Sequence, residues 1–274
     1  MKEQKILVTG ARQGIGRDSA FALADRGHEV FATTETDEQA GELARKAETN
    51  GRQMRVERLD LRDQADHQKA VDFAPDVLIN NAAIGESGPL AELPMERLRD
   101  NFDTNVFHAI ELTQDVLEGM LERGSGRIII LSSVGGKLVL PYFGAYHMTK
   151  FALEAAGDAF RGELTHHGIS VSVIEPGAIN TGFNERMNAT KYQWFDEHAR
   201  LGADMDRVAK YEAALTRTQH PTDSVTRAVI HAVESTKPKT RYVRPLWPYA
   251  PMLWLATAIP GRLRDWVLGK MAGV

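Results

Sequence analysis

The chain has 274 residues, room for one or two domains, and its 43% hydrophobic and 26% charged content is that of an ordinary folded protein, not a disordered one. Lys and Arg number 33 against 37 Asp and Glu, a net charge of −4 that argues against nucleic acid held by phosphate neutralisation. With no cysteine, disulfides, thiolate zinc sites and thiol catalysis are all excluded. The polar start MKEQK runs straight into a strand-like ILV, so no signal peptide is expected. No uncharged apolar run reaches the ~18–20 residues of a bilayer span, and a cytoplasmic location is expected. Strand-like runs lie at 6–9, 29–34, 54–59, 77–80, 127–132, 169–174 and 241–243, several of them almost wholly apolar. Helical stretches fall between them at 15–26, 38–49, 63–73, 94–123, 144–167 and 222–235. Gly27 and Gly168 follow helices, where a left-handed cap is wanted, and Pro221-Thr222-Asp223 reads as a helix start. This alternation predicts one α/β domain, doubly wound, with a seven-stranded parallel sheet and helices on both faces. Two segments break it: 181–220, with Phe183, Tyr192, Trp194, Phe195 and Tyr211 among charges, and the proline-rich uncharged 246–260.

Directly after the first strand comes Thr9-Gly10-Ala11-Arg12-Gln13-Gly14-Ile15-Gly16, and then a helix. Glycines permit a tight turn and close backbone approach to a pyrophosphate, while the helix start offers free N–H groups and partial positive charge. In this strand–turn–helix setting the loop predicts nucleotide binding. Its spacing is G-x-x-x-G-x-G, not the G-x-G-x-x-G of the best-known Rossmann fingerprint. Tyr146 and Lys150, four apart in a helical stretch, share a helix face. A free tyrosine, with a pKa near 10, is a poor base at neutral pH. A neighbouring ammonium favours the phenolate, and bringing the pKa to ~7 takes about 4 kcal/mol. Each of these residues alone would be ordinary core or surface; their order and spacing carry the reading. The nine histidines form no metal-binding pattern. His166-His167 suit a helix C-terminus, and His147 reads as structural.

From about residue 5 to 182, and more loosely to 245, the chain resembles the short-chain dehydrogenase/reductase family. The matching motifs are TGARQGIG, Asn80-Asn81-Ala82-Ala83 in place of N-N-A-G, Asn105, and Ser133 with Tyr146 and Lys150 as Y-x-x-x-K. Pro176-Gly177 with Thr181 adds P-G-x-x-x-T. The resemblance implies a Rossmann fold and an NAD- or NADP-dependent oxidoreductase interconverting a secondary alcohol and a ketone or aldehyde. It implies that Tyr146 exchanges a proton with the substrate oxygen during hydride transfer. Lys150 would tune Tyr146 and bind ribose, Ser133 would hold the reacting oxygen, and Asn105 would hold a water relaying protons to Lys150. The cofactor is expected on Gly10, Arg12, Gln13, Gly14, Ile15 and Gly16, on Asn81, Ala82 and Ala83, and on Pro176, Gly177, Ile179 and Thr181. Asp60-Leu61 would meet adenine. Thr34 stands where NAD-type members have Asp, and Glu35 where NADP-type members have Arg. Arg12 favours a 2′-phosphate and Glu35 repels it, so both cofactors stay open.

In this family the segment after Thr181 is the substrate lid, here 181–220. Its aromatics, with Leu138-Val139-Leu140, predict a hydrophobic substrate contacting Ser133, Leu138, Tyr146 and Phe183. The run YHMTKFALE resembles the hydroxysteroid and retinol dehydrogenase branch. Within the C-terminal extension at about 246–274, the segment 246–260 is expected to pack over the pocket or a subunit interface; the other reading is peripheral membrane contact, with Arg262, Arg264 and Lys270 beside Trp254 and Trp266. A homodimer or homotetramer is implied by the family alone. Two alternatives stay in view: a non-catalytic NAD(P)-binding regulator, and a reductase of acyl thioesters or C=C bonds.

Overall fold

The computed structural model describes residues 2–272. Seven strands, β1 (Lys5–Val8), β2 (Glu29–Thr34), β3 (Arg55–Arg58), β4 (Val77–Asn80), β5 (Gly126–Leu131), β6 (Ile169–Pro176) and β7 (Arg241–Arg244), form one sheet. All pairings are parallel and the order is β3-β2-β1-β4-β5-β6-β7, the doubly wound arrangement expected from the alternation. The apolar strands have two faces to bury. Ile6 and Val8 of β1, Val77 and Ile79 of β4, and Ile129 and Leu131 of β5 pack with α1 (Gly14–Ala24), α2 (Asp37–Thr49) and α9 (Asp223–Glu234). The intervening Leu7, Leu78, Ile128 and Ile130 meet α3 (Gln64–Phe73), α5 (His108–Arg123) and α6 (Gly144–Leu164) on the other side. A period of two thus sorts each strand between two helix layers.

Local chemistry sets the ends of several helices. Thr36 caps α2 by accepting from the Gln39 N–H at 3.3 Å, with Asp37 and Glu38 in the first turn. Gly27 (φ 83°) and Gly168 (φ 76°) hold the left-handed turns expected of them. Thr222 precedes α9 as expected, but its hydroxyl donates to Asp18 at 2.6 Å instead of capping the helix.

Three segments differ from expectation. The stretch 94–123 is two helices, α4 (Met95–Phe102) and α5, joined by a π-turn over Asp103–Phe107 that centres on Asn105. Such turns insert one extra residue into a helix and redirect its side chains. The insertion at 181–220 contains α7 (Phe183–Thr190) and α8 (Met205–Thr216), and 246–260 is mostly α10 (Leu246–Ala258) despite its prolines. In α10, Trp247 keeps extended backbone angles and Pro251 lies in the body of the helix. α11 (Gly261–Ala272) follows.

Strand order reverses between β1 and β4. Their carboxyl ends leave a crevice that the following loops cannot fill, the usual ligand position in open α/β sheets.

Candidate active site

That crevice is a cleft of about 610 Å³. The turn after β1 approaches the strand end of β4 so closely that a Cβ on Gly10 (φ 64°) would stand 2.7 Å from Ala82 Cα. A Cβ on Gly14 (φ 60°) would meet the Thr181 side chain at 2.6 Å. The Thr9 hydroxyl accepts from the Asn81 and Ala82 N–H groups, both at 3.0 Å, and Asn81 Nδ2 donates back to the Thr9 and Gly10 carbonyls. Gln13 Nε2 donates to the Thr181 carbonyl at 2.6 Å, tying the glycine turn to the loop after β6. No side chain caps the start of α1, and its first turn carries no acid. Its N–H groups and dipole therefore suit an anionic ligand.

Gly10, Arg12, Gln13, Ile15, Glu35, Asp60, Leu61, Asn81, Ala82, Ala83, Pro176, Gly177, Ile179 and Thr181 all line the cleft. Gly14 and Gly16 are buried behind it. Thr34 is buried too, its hydroxyl donating to the Thr36 carbonyl at 3.0 Å, so it turns away from the ligand position. Glu35 pairs with Arg62 at 2.8 Å, and Arg62 also pairs with Asp60 at 3.1 Å. Arg12 reaches toward Glu42 at 3.8 Å. This end of the cleft is thus a network of both signs.

Deeper in the cleft lie Ser133, Tyr146 and Lys150. Tyr146 and Lys150 stand one turn apart on α6, with Lys150 Nζ 5.5 Å from the Tyr146 ring centroid and donating to the Leu131 carbonyl at 2.8 Å. Burial lowers the Lys150 ammonium to about 7. Burial also raises the Tyr146 phenol well above its ordinary value, while a hydrogen bond with Ser133 pulls the other way. Ser133 Oγ accepts from the Gly135 N–H at 3.0 Å, lies 3.4 Å from the Pro176 carbonyl, and is within reach of the Tyr146 oxygen.

Asn105 does not line the cleft. Its Oδ1 accepts from the Ile84 N–H at 2.8 Å, and its Nδ2 donates to the Ile84 carbonyl at 2.8 Å and to Thr149 Oγ1 at 3.1 Å. It fastens the segment after β4 to α6 between Tyr146 and Lys150. Leu138 is also buried away from the cleft. His147 accepts from the Leu140 N–H at 3.1 Å through Nδ1, and burial lowers its pKa to about 4, as suits a neutral structural ring.

Phe183, Arg186, Met187 and Thr190 fall at i, i+3, i+4 and i+7 on α7, and all four line the cleft. Ser87 Oγ donates to the Met187 carbonyl at 3.0 Å and Trp194 Nε1 to Glu86 at 3.0 Å, which seats the lid on the body. Phe183 lies 5.4 Å from Tyr146, ring to ring, and both pack against an apolar cluster of Phe143, Met187 and Tyr211 with Leu140 and Tyr142. The sequence marks Phe183 as an aromatic among charges but not Arg186, which shares its face only because 183–190 is helical. Nor does it mark Tyr249 of α10. Its hydroxyl accepts from the Ala178 N–H at 3.0 Å, and its ring fills the space over Gly177, where a Cβ would stand 2.0 Å from Cε2.

The family model described as short chain dehydrogenase matches residues 4–192. The oxidoreductase YbbO of Escherichia coli K12 is 34% identical over 277 aligned residues, covering 97% of this chain and 94% of YbbO. Human retinol dehydrogenase 8 is 30% identical, with 92% of this chain and 84% of the relative covered. A solved short-chain dehydrogenase from Streptomyces avermitilis superposes with a TM-score of 0.78 at 27% identity, covering 99% of this chain and 98% of its own. Sheet order, cleft and sequence agree: the chain belongs to the short-chain dehydrogenase family.

Proposed function

We propose that this protein interconverts a hydrophobic secondary alcohol and the corresponding ketone or aldehyde, with NAD or NADP as its partner in hydride transfer. The observation that carries this reading is one continuous cleft. It begins at the uncapped start of α1 and ends at Tyr146, Ser133 and Lys150 under apolar rings. Arg12 and Arg186 at its edge and the free N–H groups of α1 suit a pyrophosphate. The chemistry that a bound dinucleotide supplies is hydride transfer at its nicotinamide ring.

The chain's own residues do the rest. In oxidation Tyr146 accepts the alcohol proton as the hydride departs; in reduction it donates that proton to the carbonyl oxygen. Lys150, one helical turn from Tyr146, favours the phenolate whenever it carries its charge. Ser133 donates to the substrate oxygen and keeps it within reach of Tyr146. Asn105 is a positioning residue: through Ile84 and Thr149 it holds the β4 loop in register with α6. Phe183 and Met187, lining the cleft beside Tyr146, exclude water and favour an apolar substrate. The relationship to retinol dehydrogenase 8, named for an apolar alcohol, supports the same choice.

The test is a fluorescence titration of the purified protein with NADH and NADPH, followed by apolar alcohols and ketones read by nucleotide absorbance. Tyr146→Phe is expected to bind nucleotide within a few-fold of the parent and to lose turnover by about 10²–10⁴-fold. Full turnover in Tyr146→Phe, or binding of neither nucleotide, would overturn the assignment.

A further inference from the structure

Between Arg244 and Arg262 the chain carries no charge. Within that span Leu246, Trp247 and Pro248 are exposed at the start, where the backbone is not yet helical, and Pro251, Trp254 and Ala258 are exposed along the body of α10 at steps of three and four residues. On α11 the pattern recurs, with Leu263, Trp266 and Val267 exposed at i, i+3 and i+4 and Lys270 at i+7. A surface helix ordinarily turns such a stripe toward the core. Here the inward positions are taken by other side chains, Tyr249 and Leu253 on α10 and Arg264 and Leu268 on α11, which are partly buried. Trp247, Trp254 and Trp266 are 77%, 71% and 62% exposed, and they are three of the four tryptophans in the chain. Single exposed apolar residues are common, but two consecutive helices with apolar outward stripes are not.

Charge selects what covers them. In a chain of net charge −4, the stretch from Arg262 to Lys270 holds three cations against one carboxylate. Arg264 lies 3.5 Å from Asp265, whereas Arg262 and Lys270 are exposed with no carboxylate within 4 Å among the described residues. Tryptophan with Arg and Lys at its edge is the composition that settles at a lipid headgroup boundary. A two-fold contact with a second copy would set these same cations against each other. We infer that α10 and α11 form a docking surface for an anionic membrane, which they enter only to headgroup depth. Among the described residues no helix is long and apolar enough to cross a membrane. The surface is held against the catalytic body, because Tyr249 anchors α10 to the loop after β6 and α11 packs on α8 of the lid.

The experiment is flotation of the full chain with vesicles of phosphatidylcholine alone and of phosphatidylcholine mixed with phosphatidylglycerol. Binding to the mixed vesicles is expected, with a blue shift of tryptophan emission and weakening as salt is raised. Arg262→Gln and Lys270→Gln should each weaken it about five-fold, and Trp266→Ser should remove most of it. Nucleotide binding measured on each variant checks that it is folded. The inference falls if the parent protein fails to float with mixed vesicles, or if the variants float as well as the parent. It also falls if Trp266→Ser instead abolishes self-association in vesicle-free solution, which would identify a second copy as the occupant.

Discussion

His147 sits between the two residues of the Y-x-x-x-K motif, yet its work is structural. It accepts the Leu140 N–H, and only the neutral ring can do so. Burial holds its folded pKa near 4, below the ordinary value of about 6.5. The unfolded chain therefore binds more protons than the folded one between these values, and stability falls as pH drops from about 6.5 to 4. Urea unfolding at pH 7 and at pH 4.5 is expected to show His147→Asn losing about 2 kcal/mol less than the parent across that window. An equal loss in both proteins would mean that His147 does not titrate on unfolding. Lys150, by contrast, needs the helix for its proximity to Tyr146 and the sheet for its burial. The i, i+4 spacing was legible in the sequence, but the ammonium's descent to about 7 was not, because it comes from desolvation under β5.

At the scale of elements, the cleft is closed by pieces remote in sequence. α10 reaches back to the loop after β6, where the Tyr249 hydroxyl takes the Ala178 N–H and the ring covers Gly177. That loop also carries Gly177, Ile179 and Thr181, all lining the cleft. Tyr249→Phe keeps the ring but leaves the Ala178 N–H without its acceptor, at a cost of about 1 kcal/mol. On the proposed function this loop lies against the bound nucleotide, so nucleotide binding should weaken about five-fold in a fluorescence titration; unchanged affinity would show that the loop holds its shape without α10. The break between α4 and α5 makes a similar point. Apolar periodicity ran on through 94–123, so one helix was expected. The extra residue of the π-turn turns Asn105 toward Ile84 and Thr149, partners supplied by other parts of the fold.

For the whole molecule, the seventh strand is held by charge as well as by its ladder. Arg241 of β7 bonds Glu154 and Asp158 of α6 and, at 2.9 Å, Glu175 of β6; Lys137 adds a contact with Glu154 at 3.0 Å. Glu154 and Glu175 are almost fully buried, and burial raises the Glu175 carboxyl. Removing the cation leaves buried carboxylates short of a partner, which is worse than having no ion pair there. Arg241→Met is expected to cost about 3 kcal/mol at pH 7 by urea unfolding. That deficit should narrow as pH falls into acid, beginning above the ordinary carboxylate range because burial raises Glu175, since protonated carboxyls no longer need the guanidinium. A deficit that stays constant with pH would assign the loss to packing instead.

What the sequence determined by itself was whatever depends on neighbours along the chain. The period of strands and helices, the turn after β1 and the Tyr146–Lys150 pair belong here, since backbone geometry sets the outcome within a few residues. The doubly wound sheet followed, because short parallel crossovers leave few ways to cover both faces. Only the tertiary structure decided which residues face the cleft. Thr34 and Leu138 turned inward because neighbouring elements bury them. Arg62 joined Glu35 because β2 and β3 run side by side in the sheet. Arg186 and Tyr249 came to the site from segments whose helices the alternating pattern did not announce. Desolvation and contacts between distant residues arise only when the layers close, and no local period records them.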